Sequence, residues 1–333
     1  MTRSVNIYEV AEAAGVSIAT VSNTLNRPAR VAADTRERVM QTIDRLGFVP
    51  HYIAAHRART TLDRIGVIAP FTSYSSFGVR LEGILRALRD TGKEVLVFDH
   101  ESAARTPSPL LSSLPLSGRL DALIIMGVPV DQALAERLQE RRLPTVLIDS
   151  HHSLFTNVVV NDERGGYLAG RHLIEKGLEH FLYVSEGQLS SDYVSQGQRR
   201  TAGFMRAIID AGYPRERVKR ITVSSDSLGG RMAAEQLLAT RGHALGILAH
   251  HDLIAAGMVA TLRQSGASVP GDFSIVGYDG GPIAESFGLT TVRQPLEHSG
   301  FLGAQHLLRL MNDSTEPSQQ IAVSVELIEG NTT

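Results

Sequence analysis

The stretch from Asn6 to Asn26, NIYEVAEAAGVSIATVSNTLN, decides how the chain begins to fold. Ile7, Val10, Ala11 and Ala14 fall on one face at helical spacing, and Asn6 with Glu9 three residues on forms a capping box, so the pattern predicts a first helix. Gly15 stands where the chain must reverse, because glycine takes a positive φ without strain. Ser17 is placed to cap a second helix that turns Val21 and Leu25 inward. A small Ala11 at a close crossing, Gly15 four residues later and an apolar Val21 six after that is the spacing of a helix-turn-helix. The outward residues of the second helix, Ser17, Ile18, Ala19, Thr20, Ser22, Asn23 and Asn26, would then enter a DNA major groove. The competing reading is a plain helical hairpin with a solvated Ser/Thr/Asn face.

Working outward, Arg27-Pro28 breaks the second helix, and a third is expected from about Asp34 to Leu46, with Val39, Ile43 and Leu46 inward and Gly47 ending it. Asp34 suits the positive end of that helix, whereas Ala32 occupies the cap position without a capping side chain. The following segment, HYIAAHRART, has helical propensity but is too short and polar to be stable alone, which makes it a linker with a latent helix or a plain tether. Residues 1–62 carry eight arginines against five carboxylates, +3, while the whole chain is at −2. A basic head on an acidic body fits phosphate contact by the head alone.

A chain of 333 residues is long enough for a small domain and a large one. With no cysteine there are no disulfides, thiolate metal sites or thiol nucleophiles. No run reaches the ~18 apolar residues of a membrane span, and the first ten residues lack a signal-peptide core, so no membrane partner and a cytoplasmic location are expected.

From Arg64 onward, short β-rich runs alternate with amphipathic helices. The runs are IGVIA (65–69), EVLVF (94–98), DALII (121–125), TVLI (145–148), VVV (158–160), HFLYVS (180–185), RITV (220–223), ALGILA (244–249), FSIVGY (273–278), LTTV (289–292) and VSVEL (323–327). Helices are expected between most of them, including 77–91, 163–176 and 196–211. Runs apolar on both faces, each followed by a helix, mean parallel strands with right-handed crossovers, hence a doubly wound parallel α/β body. So many strands suit two sheets, and a chain crossing between them more than once would leave a cleft.

Ligands of such bodies bind beyond the carboxyl ends of the strands. The residues there are Tyr74, Phe77, Asp99, Asp149, Asn161, Asp162, Arg200, Asp226, His251, Asp252 and Asp279. Carboxylates, an arginine, an amide and aromatic faces are what a small polyol or sugar requires. Singly, each is equally a cap or turn residue at a strand-to-helix junction.

These residues carry a resemblance. The chain resembles the lactose repressor/galactose repressor (LacI/GalR) family of bacterial transcription regulators over almost its whole length, through IYEVAEAAGVSIATVSNTLN, VAADTRERV, LGFVP, RTAGFMRAI, SIVGYD and TTVRQP in that order. The resemblance implies a homodimer, or a tetramer, on a near-palindromic operator, an effector body shaped like a periplasmic sugar-binding protein, and a hinge helix at the minor groove. Tyr8, Thr20, Ser22, Asn26 and Thr35 match family positions that hold DNA phosphates, and Ile18, Ala19, Asn23 and Arg30 match positions that meet base edges. Arg200 and Asp279 match ligand-contacting positions, to which the strand-end census adds Tyr74, Phe77, Asn161 and His251. The chain departs from relatives at Ile18 and Ala19, whose apolar side chains favour thymine methyls, at His251 in place of a frequent Asn, and at Arg57 in place of the usual wedging Leu, with Ile53 the large aliphatic residue one turn earlier. The implied division is 1–48 for the head, 49–62 for the hinge, and 63–333 for the effector and dimerisation domain, its subdomains being about 63–160 with 292–320 and 161–291 with the last strand.

Other chemistries are set aside. Gly92-Lys93 lacks the preceding glycine of a phosphate loop, and there is no G-x-S-x-G elbow. His250-His251-Asp252 is dense, but adjacent residues at a strand end point to different sides, so no metal and no cofactor are expected. The expected protein is a regulator without catalysis, most simply a repressor, with operator DNA and a small polar effector as partners.

Overall fold

The computed structural model describes residues 5–48, 63–100, 118–187, 194–239 and 243–333. It divides into two compact units, one of Met1–Thr72, Arg80–Val158 and Gly300–Ile321, the other of Ser73–Val79, Val159–Ser299 and Ala322–Thr333.

The head opens the first unit with α1 (Ile7–Ala14), α2 (Ile18–Asn26), a 3-10 turn at Pro28–Arg30 and α3 (Ala33–Leu46). The Asn6 side chain accepts the Tyr8 and Glu9 amides at 2.9 and 3.0 Å while Glu9 accepts the Asn6 amide at 2.9 Å, the reciprocal cap that the sequence called for. Gly15 sits at φ 64° and Gly47 at φ 64°, ending α1 and α3 in the left-handed conformation. Val10, Ala11, Ala14, Val21, Leu25, Val39, Met40, Ile43 and Phe48 form one buried cluster, so each helix is held by the other two. Ala32 makes no side-chain cap, as its chemistry requires.

The rest of the first unit is built on a six-stranded sheet of order β11-β5-β4-β3-β1-β2. Its strands are β1 (Arg64–Ala69), β2 (Glu94–Asp99), β3 (Ala122–Met126), β4 (Thr145–Ile148), β5 (Thr156–Val160) and β11 (Gln320–Val323). Helices α4 (Ser76–Leu88), α5 (Gln132–Glu140) and α11 (Leu296–Asn312) accompany it. The second sheet repeats the pattern as β12-β10-β9-β8-β6-β7. It uses β6 (Phe181–Glu186), β7 (Val218–Val223), β8 (Leu245–Ala249), β9 (Phe273–Asp279), β10 (Thr290–Arg293) and β12 (Glu326–Ile328). Between them run α6 (Asp162–Glu175), α7 (Gln196–Asp210), α8 (Ser227–Leu238), α9 (Asp252–Gln264) and α10 (Pro282–Phe287). The central strands β3, β4 and β8 are almost wholly buried, as parallel strands covered on both faces must be, whereas every residue of the edge strands β2 and β7 is at least partly exposed.

Three strands differ from their sequence reading by two residues or more, β7 among them, which starts at Val218 and not at Arg220. The run VSVEL is not one strand: the chain leaves β11 at Val323 and enters β12 at Glu326, so the pieces join different sheets, and β12 pairs antiparallel with β10. The fifth strand starts at Thr156, not Val158. Buried Asn157 is tolerated in it because its side chain donates to the His152 and Phe155 carbonyls at 3.1 and 2.7 Å and accepts the His152 amide at 3.0 Å.

In each sheet the strand order reverses beside the first strand, between β1 and β3 and between β6 and β8. Such a switch point opens a crevice at the carboxyl ends of the strands, because the flanking connections run to opposite sides.

Candidate functional site

Most of the head residues expected to meet DNA are at least partly exposed. Tyr8 is 67% exposed and Ile18 41%, and Ser17, Ala19 and Arg30 are exposed, while Thr20, Ser22, Asn23 and Thr35 are partly so. Val21 and Leu25, on the opposite side of α2, are in the core. The Ser17 hydroxyl is engaged within the helix start, accepting the Thr20 amide at 3.1 Å and sharing a hydrogen bond of 2.9 Å with the Thr20 hydroxyl, which fixes the first turn of α2. An exposed Ile18 beside Ala19 on an otherwise polar face has no folding rationale, and suits apolar contact with a thymine methyl. Ile53 and Arg57 lie outside the described residues, as does the whole segment 49–62 expected to form the hinge, and the Asn26 side chain is not described.

In the second unit, the carboxyl ends of the strands gather a buried polar cluster around Arg200, on the first turns of α7. Its Nε donates to Asp162 Oδ1 at 2.7 Å, its Nη1 donates to the His250 carbonyl at 2.6 Å, and its Cζ lies 3.7 Å from the centre of the Tyr278 ring. Only 6% of the residue is exposed. Burial alone would depress this guanidinium, but the charge of Asp162, with Tyr278 and Asp279, more than offsets it, and Arg200 stays protonated. The pairing depends on glycines where α6 and α7 cross. A Cβ on Gly166 would strike the Arg200 carbonyl, and one on Gly203 the Glu163 carbonyl.

The two histidines after β8 serve different neighbours. His250 Nδ1 is 3.0 Å from the Tyr183 hydroxyl and its Nε2 is 3.7 Å from Glu186 Oε1, while Glu186 Oε2 accepts the Tyr74 hydroxyl at 2.6 Å. His251 Nδ1 accepts the Ile254 amide at 3.4 Å as the cap of α9, so its proton is on Nε2, which donates to Ser225 Oγ at 2.7 Å. Burial, followed by the charge of Arg200, holds His250 well below the usual histidine range and brings His251 down to about 4. Both rings are therefore neutral near pH 7. Burial also lifts the Tyr183 phenol to about 12.

At the end of β9, Asp279 has φ 114°, a strained conformation for a side-chain-bearing residue. It is held there by Gln294, whose amide donates to the Asp279 carbonyl at 3.0 Å and whose Nε2 donates to Oδ1 at 2.6 Å. Asp252 accepts the Gly280 amide at 2.7 Å and the Thr291 hydroxyl at 2.7 Å, and burial with the charge of Asp279 raises it to about 7.

Of the residues expected at an effector site, the structure links Tyr74, Arg200, His251 and Asp279 to this cluster directly or through one neighbour. Phe77 is buried with its ring 6.1 Å from that of Tyr74. Asn161 is the N-cap of α6, accepting the Arg164 amide at 2.9 Å, and it places its neighbour Asp162 on Arg200. Asp226 is likewise a cap, accepting the Gly229 amide at 2.7 Å. Two carboxylates of the census belong to the first unit: Asp99 accepts the Thr72 amide and hydroxyl at 3.0 and 2.6 Å, and Asp149 forms a buried ion pair with Arg80. The sequence reading overlooked Glu186, Tyr183, Tyr278 and Gln294. Glu186 and His250 become legible only once β6 and β8 are known to be neighbours at the switch point.

Residues 6–51 match the model of bacterial regulatory proteins of the lacI family, and residues 171–333 match the periplasmic binding protein-like domain. The chain is 31% identical over 329 residues to the HTH-type transcriptional repressor PurR of Erwinia tasmaniensis, covering 97% of this chain and 95% of the relative. The chain belongs to the LacI family. It is 28% identical to the HTH-type transcriptional regulator DegA of Bacillus subtilis, over 98% of this chain and 97% of that protein. Among solved structures it is similar to the lac repressor dimer bound to operator and the anti-inducer ONPF, at a TM-score of 0.68 and 25% identity, with 99% of each chain covered. A LacI family regulator of Enterococcus faecalis with bound ribose gives a TM-score of 0.69 and 26% identity, covering 81% of this chain and 98% of that one. The protein is a ligand-responsive, DNA-binding transcriptional regulator, as the curated relatives named above are transcriptional regulators, and no helix among the described residues is long and apolar enough to cross a membrane.

Proposed function

We propose that the protein represses transcription by seating two heads on a near-palindromic operator as a homodimer, under the control of a small polar effector bound at the carboxyl ends of the second sheet's strands. The observation that carries the reading is the pairing of a face on α2, with Ile18 and Ala19 exposed and Asn23 partly so, with a buried polar cluster around Arg200 and Asp279. Tyr8, Thr20, Ser22, Asn26 and Thr35 hold phosphates and set the register, while Ile18, Ala19, Asn23 and Arg30 read bases. The segment 49–62, with Ile53 and Arg57, is the hinge, and Arg57 is drawn to the negative potential of a narrow minor groove instead of wedging between bases. Tyr74, Phe77, Arg200, His251 and Asp279 contact the effector, and Asn161 sets the start of α6 beside it. The protein works in the cytoplasm by shifting between states of different operator affinity, without turnover.

Two measurements test this. Selection from random DNA should return an inverted repeat. A thermal-shift screen of sugars and nucleosides should return a ligand whose affinity falls by about 2–4 kcal/mol in Asp279→Ala, the scale of charge-assisted hydrogen bonds lost in a desolvated site. Arg200→Ala should weaken the same ligand, but it also strips Asp162 of its buried counter-charge, so Asp279 is the cleaner probe. An effector that binds both variants as it binds the wild type would remove the site assignment.

A further inference from the structure

The charge at the switch point of the second sheet has a consequence for the kind of effector admitted. An arginine at a ligand site ordinarily reads as an anion receptor, since its planar fork matches phosphate and carboxylate. Here that fork is turned inward. The Arg200–Asp162 pair has side chains 7% and 3% exposed, and a second guanidinium nitrogen is fixed by the His250 carbonyl. Most of the neighbours add no positive charge. His250 and His251 are kept neutral by burial, Asp279 brings a carboxylate, and Arg293, its partner in the ladder, pairs with Glu326 at 2.7 Å. Arg220, on the edge strand, is exposed and donates Nε to Ser185 at 2.8 Å.

We propose that Asp162 is a specificity-determining residue of the effector site: by holding Arg200 in an internal ion pair it closes the site to anionic effectors and leaves uncharged, hydroxyl- or amide-bearing molecules as the class accepted. The inference rests on the reading that the effector binds at these strand ends. Arg200 can still donate from its outer edge to a neutral oxygen, because a guanidinium has five N–H groups and two of its nitrogens are engaged by the protein. A phosphate would meet a neutral pair with carboxylates beside it, and would lose its hydration without a counter-charge.

The probe is inorganic phosphate, compared with chloride at matched ionic strength, read as thermal stabilisation of the full chain. Wild type should show none at about 20 mM. Asp162→Asn keeps an oxygen for Arg200 Nε but removes the charge, and should gain phosphate binding by roughly tenfold or more. Asp162→Asn with Arg200→Gln should lose that gain. A folded Asp162→Asn that phosphate does not stabilise overturns the proposal, as does wild type stabilised to the same extent. Should Asp162→Asn fail to fold, Arg220→Ala decides: phosphate stabilisation of the wild type that persists in Arg220→Ala overturns the inference, and its absence from both upholds it. Failure of the underlying effector reading looks different, since it shows as a neutral ligand insensitive to Asp279→Ala and leaves the phosphate comparison unchanged.

Discussion

Gly203→Ala adds a single methyl group at the crossing of α6 and α7, one turn along the helix from Arg200. The new Cβ would lie about 1 Å or more inside the closest approach that such an atom makes to the Glu163 carbonyl. The opposing group is backbone, so no rotamer change relieves the contact. Gly166 faces the Arg200 carbonyl and Gly170 would meet Ala207 Cβ at 2.8 Å, so the helices are in closest contact along a whole stripe and must part as bodies. Overpacking of this kind costs about 1–3 kcal/mol, and the upper end is expected here because the backbone on both sides is helical. Parting the helices by about 1 Å would also stretch the 2.7 Å Arg200–Asp162 bond beyond hydrogen-bonding range, since Asp162 lies on α6 and Arg200 on α7. Urea denaturation should therefore show a lower midpoint at an unchanged slope, and calorimetry should show weaker effector binding, with operator affinity in the absence of effector retained. A Gly203→Ala protein within about 0.5 kcal/mol of wild type and with full effector affinity would refute the claim that this crossing holds Arg200 in place.

Asn6→Ala removes the acceptor of two amides at the start of α1 and should destabilise the head by about 1 kcal/mol, seen as faster hydrogen exchange in α1 to α3 and unchanged exchange in the two sheets. His251 is depressed to about 4 in the folded protein, so the unfolded chain takes up its proton first as pH falls below the usual histidine range. Stability should be full above that range and decline between about pH 6.5 and 4, and His251→Asn, which retains a capping side chain, should flatten the decline in midpoint against pH. Arg30→Ala or Asn23→Ala should relax base preference by about 1–3 kcal/mol at particular operator positions, whereas Thr20→Ala should weaken all sequences alike; identical selected motifs for wild type and both reader variants would contradict the assignment.

The head was legible in the sequence down to its caps, because short helices advertise themselves locally: Asn6 with Glu9, Gly15, Ser17 and Gly47 each act on neighbours within a few residues. The alternation of strands and helices was legible for the same reason. The site was legible only in part. Asp279 ends β9 and Arg200 lies on the helix that follows β6, places that can be found by counting, but whether a polar residue there faces a ligand or its own backbone depends on a partner distant in sequence. Asp162 meets Arg200 across 38 residues, and Glu186 meets Tyr74 across 112. Asn161 and Asp226 proved to cap helices, the ordinary use of such residues at these junctions. Splitting VSVEL between two sheets was beyond a local reading, since a five-residue alternating run carries no mark of where one partner ends and another begins.

The two strands that came from that run bear on how the protein is made. β11 completes one edge of the first sheet and β12 one edge of the second, and they are among the last described residues to leave the ribosome. Until then each nascent sheet displays an unpaired border at β5 and at β10, the kind of border that recruits strands from other chains. Thr332 adds to the same late closure, since its backbone and hydroxyl bind Ile275 and Thr290 on β9 and β10. Neither half of the body is therefore encoded by one continuous piece of the gene. A ribosome that stalls after α11 leaves two open templates at once, so premature termination there should yield aggregate in place of a smaller soluble regulator.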